Sequence, residues 1–232
     1  MQWVWDNFFF GNPSIWQLIL DHLSLSVPPI VIGFLVSIPL GFWASRNRVA
    51  RSILLGIFSV LYTLPSPVLF VLVPVALGLA ILDSKNVVVA LTVYAVAIMI
   101  RSSTDAFLSV SSDVRESARA VGFSAVQRFF GVELPLAGPV LLAGVRVVSV
   151  STVSLATVGA FIGIPSLGNL FQDGFKSSLY VEIWTGIVLV LIIAAIFDLI
   201  LSGLGRLLLP WNRRATRRRA SRMVAKEAVW TS

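Results

Sequence analysis

Few residues in this chain could do chemistry, and most of those stand in apolar surroundings. His22 is the one histidine and there is no cysteine, which excludes a histidine-based metal cluster, a thiolate metal site and a disulfide framework. Asp198 is the one acidic residue deep inside an apolar run. A carboxylate there must be paired or protonated, and the expected partner is Arg206 or a basic residue of a neighbouring helix near the cytoplasmic face. Ser149, Ser151, Thr152, Ser154 and Thr157 set hydroxyls along another apolar run. Such hydroxyls either bond the helix's own carbonyls and pack helices together, or form a weakly polar, uncharged path for a solute. No convergent nucleophile, acid–base set or metal site can be assembled from these groups, which argues against a membrane enzyme.

Polar chemistry is concentrated instead between Asp113 and Arg128. The spacing predicts two short helices. Asp113 reads as an N-cap with Glu116 at N3, Gly122 as the left-handed residue that ends the first helix, and Phe123 as the apolar contact that accompanies such an ending. Ser124 and Gln127 repeat the start signal for the second helix, and Pro135 and Pro139 are expected to separate this pair from the apolar run that follows. Ser117, Ala118 and Ala120 are small enough to let a partner groove approach the backbone, while Arg115, Glu116 and Arg119 offer directional charge pairing. The same pattern would suit a helical hairpin lying on a membrane surface.

The elements that must position these residues are membrane helices. Of 232 residues, 57% are hydrophobic and 12% charged, with a mean hydropathy of +0.91, a balance foreign to soluble and disordered chains alike. Apolar runs of about 20 residues, the length that crosses a bilayer, fall near 24–45, 87–107, 139–163 and 183–207. A further run, 52–82, is broken by Leu64-Pro65-Ser66-Pro67 and by Pro74. Counting it as one kinked span leaves Arg46, Arg48, Arg51, Arg101, Arg115, Arg119, Arg128, Arg146 and the basic tail on one side, with only Lys85 and Lys176 on the other. The positive-inside rule then predicts an all-α integral membrane protein of five transmembrane helices, N-out and C-in. Residues 1–23 form an external N-terminal segment, 24–209 the membrane domain with the loop 108–138, and 210–232 a basic cytoplasmic tail.

The net charge of +7 is therefore assigned to orientation and to anionic membrane lipids, and not to nucleic acid. No Lys or Arg precedes Arg46, so no secretory signal is expected.

Glu116-Ser117-Ala118, Gly122 and Val132-Glu133-Leu134-Pro135 resemble the EAA loop of ABC importer permeases: E-A-A, three residues, G, nine residues, I-x-L-P. Ser117 stands for Ala and Val132 for Ile. Beyond the loop, Tyr62-Thr63-Leu64-Pro65-Ser66-Pro67, Val132 through Pro139, Gly144-Val145-Arg146 and Gly159 through Gly163 with Leu167-Gly168 are similar to MetI-like permeases of the glycine betaine/carnitine/choline osmoprotectant branch. The resemblance implies a MetI-like fold whose coupling helix, carrying Arg115, Glu116, Ser117, Ala118, Arg119, Ala120 and Gly122, sits in a cleft of an ATPase subunit. That subunit would bind ATP and Mg, since G-x-x-x-x-G-K-[S/T] does not occur here and the chain is expected to carry no cofactor.

The other implied partners are a second permease subunit, identical or homologous, and an extracellular solute-binding protein meeting outer loops that include 164–180. The setting is a bacterial cytoplasmic membrane. The implied solute is a quaternary amine such as glycine betaine, choline or carnitine. An amino acid is the alternative, because methionine-type permeases share the framework. A secondary transporter would call for internal repeats or several intramembrane ionisable groups. Tyr62, Tyr94 and Phe161, able to touch a quaternary ammonium through their rings, join Pro65, Ser151, Ser154 and Thr157 as path candidates, with the bend at Pro65 and Pro67 as a candidate gate hinge.

Overall fold

The structure is a computed structural model describing residues 2–11, 13–78 and 83–211. Ten helices run in the order α1 (Gln2–Phe10), α2 (Ile15–Arg46), α3 (Arg48–Thr63), α4 (Ser66–Leu77), α5 (Ser84–Leu108), α6 (Ser112–Ala120), α7 (Ala125–Arg128), α8 (Leu134–Ala156), α9 (Gly168–Lys176) and α10 (Tyr180–Leu208), and no strand occurs among the described residues. Among the described residues, four helical segments are long and apolar enough to cross a membrane: Ile15–Arg46, Ser84–Leu108, Ala125–Ile162 and Tyr180–Leu208. The pair α3 and α4 makes a fifth if counted as one broken span, its halves meeting at 111°. The basic tail from Asn212 onward lies outside the described residues.

The core is α2 against α5, with α8 packed against both. Lipid tails give apolar helices no hydrophobic reason to associate, so contact depends on close backbone approach past small residues. Gly33, Ser37 and Gly41 provide it at four-residue spacing on α2. A Cβ added at Gly33 would stand 2.5 Å from the Ala95 Cβ, and one at Gly41 equally close to Ser103. Met99, Phe107, Leu141 and Val148 continue this core toward α8. Where α2 ends, Asn47 turns the chain at once. Its backbone N–H closes α2 on Trp43, while its side-chain oxygen accepts from the N–H groups of Val49 and Ala50 to start α3. Arg51 donates back to the carbonyls of Ala44 and Ser45, satisfying groups that a helix end leaves open.

The helices depart from the sequence pattern in three places. First, Pro135 and Pro139 do not separate the loop from the fourth span: helix continues from Ala125 to Ile162. A π-helical turn over Phe129–Glu133, closed by the Leu134 N–H on the Phe129 carbonyl, widens the helix just before Pro135 and accommodates a ring that would clash in a regular α turn. Second, the helix that contains the apolar run 24–45 starts earlier, at Ile15, because Ser14 and Gln17 form a reciprocal capping box. Third, the segment 164–180, expected as an outer loop, is not a plain loop. It contains α9, whose Leu170 is buried and whose Gly168 and Gly174 leave no room for a Cβ against Thr157 and Ile183.

Candidate coupling surface and solute path

The loop helix α6 starts at Ser111, whose hydroxyl accepts the Val114 N–H. Asp113 is therefore the second helical residue, not the cap, and Glu116 is released from the capping role that the sequence suggested. The end is as expected. Gly122 has φ +92°, its N–H donates to the Arg119 carbonyl and the Phe123 N–H to the Ala118 carbonyl, the paired bonds of a Schellman ending. The second start signal also holds, with Ser124 and Gln127 capping each other reciprocally. Arg115 folds back to donate to the Val110 carbonyl at 2.8 Å, which ties α6 to the end of α5. Glu116, Ser117, Arg119 and Ala120 remain exposed, and α6 buries no residue at all. Beside it Val121 is 78% exposed, Val126 66% and Phe130 64%. An uncovered polar helix flanked by uncovered apolar side chains is a surface open to a partner protein or to the membrane surface.

Glu133 holds this loop to the membrane helices, a role the motif alone did not show. Its side chain is 1% exposed; Arg46 at the end of α2 pairs with one carboxylate oxygen, and Arg128 Nε donates to the other at 2.8 Å. The π turn makes this possible, since its i→i+5 geometry brings residues 128 and 133 onto one side. A signal was present in the sequence, an isolated Glu at the edge of an apolar run five residues after an Arg. Its second partner, on another helix, had no local mark.

The path candidates fall into two groups. Tyr62, Pro65 and Tyr94 meet at the bend between α3 and α4. Pro65 caps α4 without a side-chain bond, and the carbonyl of Leu64 freed by the break accepts the Tyr94 hydroxyl. The bend is thus repaired by a neighbouring helix, as broken membrane helices require. Tyr94 is buried and meets Tyr62 edge-on, with centroids 6.2 Å apart. Tyr62 itself is half exposed and lines a cavity of about 260 Å³ with Ser59 and Arg101.

The second group lies along α8. Ser149 and Thr152 face inward and are buried, and the Ser149 hydroxyl returns to the Val145 carbonyl. Ser154 faces outward with Ser151 and Thr157 partly covered, and Phe161, in the 3-10 turn Thr157–Ile162 that ends the span, is exposed. Asp198 does not pair with Arg206. Its carboxylate takes both Nε and Nη2 of Arg146, at 2.6 and 2.7 Å, so Arg146, grouped above with the cytoplasmic end, stands in mid-helix.

The description "binding-protein-dependent transport system inner membrane component" fits residues 33–214, a stretch that contains the loop, its Glu133 anchor and both path groups. The chain belongs to that family. Among its relatives, the choline transport system permease protein OpuBB of Bacillus subtilis is 30% identical over 190 residues, covering 82% of this chain and 86% of that one. The glycine betaine/carnitine/choline transport system permease protein OpuCB of the same organism is 29% identical over the same shares. An inward-facing structure of the MetNI methionine ABC transporter superposes with a TM-score of 0.74 at 22% identity, covering 84% of this chain and 98% of that one, and shows the fold to be MetI-like. The chain is a membrane-spanning ABC permease subunit of the bacterial inner membrane, and its relatives include permeases for glycine betaine, choline and carnitine.

Proposed function

We propose that this permease imports small quaternary-amine osmoprotectants and that α6 is the helix through which a separate ATPase subunit, binding ATP and Mg, drives it. The observation that carries the coupling reading is the exposed α6 surface of Glu116, Ser117, Arg119 and Ala120, fixed in direction by the Gly122 ending and by the Arg46–Glu133–Arg128 anchor. A surface hairpin resting on lipid would not need a buried charge network to aim it. For the solute, support comes from the osmoprotectant permeases among the relatives and from the scarcity of charge along the spans. A second copy or a homologous permease completes the path, and an extracellular solute-binding protein delivers to the side bearing α9. An amino acid is the second reading, favoured by the methionine transporter's shared fold.

The proposed arrangement has five spans, with α3 and α4 as one broken span, the N-terminus outside and the C-terminus inside. The chain has no cysteine, so single cysteines beside Lys85, Lys176, Arg48 and Arg119 test it directly. Impermeant reagent added outside should label only the first two sites, and an ATPase should co-purify with the cysteine-free parent. Outside labelling beside Arg119 would overturn both the topology and the coupling assignment.

A further inference from the structure

We propose that the Arg146–Asp198 pair is a mid-membrane binding subsite for a zwitterionic solute. The solute's carboxylate would lodge on the free edge of the guanidinium and its quaternary ammonium beside the Asp198 carboxylate. This deepens the importer reading above and rests on it.

The pair lies far from either surface. At 1.5 Å per residue, Arg146 stands about 18 Å from the Leu134 end of α8 and about 15 Å from the Ala156 end. Asp198 lies about 15 Å from the Leu208 end of α10. The two helices are in register, since a Cβ at Gly205 would strike Leu142 and one at Gly138 would strike Leu209. Yet the pair is not sealed in the core: its side chains are 41% and 36% exposed. An ion pair at this depth is costly against hydrocarbon, so the face that carries it meets water or protein. That face continues along α8. Ala143, Val147, Val150 and Ser154 are all exposed at three- and four-residue steps, leading on to Thr157 and Phe161.

A cavity of about 430 Å³ opens on this face, lined by Ala143, Arg146, Val147, Val150, Ser151 and Asp198, within the size range of small-molecule sites. Its chemistry has two signs. Arg146 commits Nε and Nη2 to Asp198, leaving the Nη1 donors for an incoming carboxylate, and the Asp198 oxygens keep unused lone pairs on their outer side. A quaternary ammonium needs no hydrogen bond, only a nearby negative charge and apolar walls for its methyl groups, which Val147 and Val150 supply. A zwitterion laid antiparallel to the pair satisfies both ends. A simple cation satisfies one and meets the guanidinium with the other. Because the pair neutralises itself, neither charge is left unpaired when the solute departs, which suits a site that must release what it binds.

The test is ATP-driven uptake into proteoliposomes by the assembled complex, with labelled glycine betaine as the zwitterion and choline as the cation. Arg146→Gln/Asp198→Asn keeps size and a neutral side-chain contact. Arg146→Lys keeps the charge pair and loses the guanidinium fork, which covers the case where the neutral double variant fails to assemble. In either variant the ratio of glycine betaine to choline transport efficiency should fall about tenfold or more, the scale of a lost charge-assisted hydrogen bond. If uptake of both solutes falls by the same factor, or neither changes, the pair is structural and the subsite is overturned. If the wild-type complex carries neither solute, the quaternary-amine reading fails and the subsite fails with it.

Discussion

Replacing Glu133 by alanine removes the carboxylate that joins the loop to α2. Glu133 is 1% exposed, Arg128 12% and Arg46 32%. Taking one partner from a buried ion pair costs about 3–5 kcal/mol, chiefly because the other charge is left buried and unpaired. Arg46 is exposed enough to rehydrate, while Arg128 is not, so the expected loss is about 2–4 kcal/mol. In thermal unfolding of the purified chain this corresponds to a fall in midpoint of about 4–16 °C. Glu133→Gln keeps the shape and one hydrogen-bond acceptor and should recover roughly half of the loss. Function should suffer in a particular order. The π turn still connects α7 to α8, but α6 is no longer aimed by α2, so uptake should fall more than basal ATP hydrolysis. An alanine variant whose midpoint stays within about 1 °C of the parent, with uptake intact, would refute the anchor and the directed coupling surface that depends on it.

Gly122→Val forces a β-branched residue to φ +92° at a cost of about 1–3 kcal/mol; together with Glu116→Lys, which reverses charge on the exposed face of α6, it should leave insertion intact but weaken ATPase retention or uncouple hydrolysis from uptake, measured beside Lys176→Ala at the end of α9 as a control. Tyr94→Phe leaves the Leu64 carbonyl unpaired at the bend and should cost about 1 kcal/mol or somewhat more in thermal stability. Gly33→Ala places a Cβ 2.5 Å from that of Ala95 and should lower the yield of folded protein, with Ala95→Gly in the same chain restoring it.

Local signals were readable wherever the physics was local. Gly122 and Phe123 declared their helix ending, Ser124 and Gln127 their capping box, and Leu64-Pro65-Ser66-Pro67 the break in the second apolar run, because each rests on bonds within a few residues. Other features depend on residues distant in sequence. Pro135 reads as a breaker until the π turn before it is seen, and the Tyr94 hydroxyl that repairs the bend comes from another helix. Asp198 clearly required a partner, but the choice of Arg146 over Arg206 is made by the register of α8 against α10. The α6 start differs because Ser111 reaches the Val114 N–H first, and two nearby residues with equal capping chemistry cannot be ranked from type alone.

The proposed import is measured most directly as ATP-driven uptake by this chain assembled with the proposed ATPase, second permease and solute-binding protein, in proteoliposomes loaded with ATP and Mg. Labelled glycine betaine, choline or carnitine should accumulate, with uptake that ceases without ATP and is competed by the other quaternary amines. Accumulation stimulated only by an unrelated amino acid, or driven by an ion gradient in the absence of ATP, would contradict the proposed import.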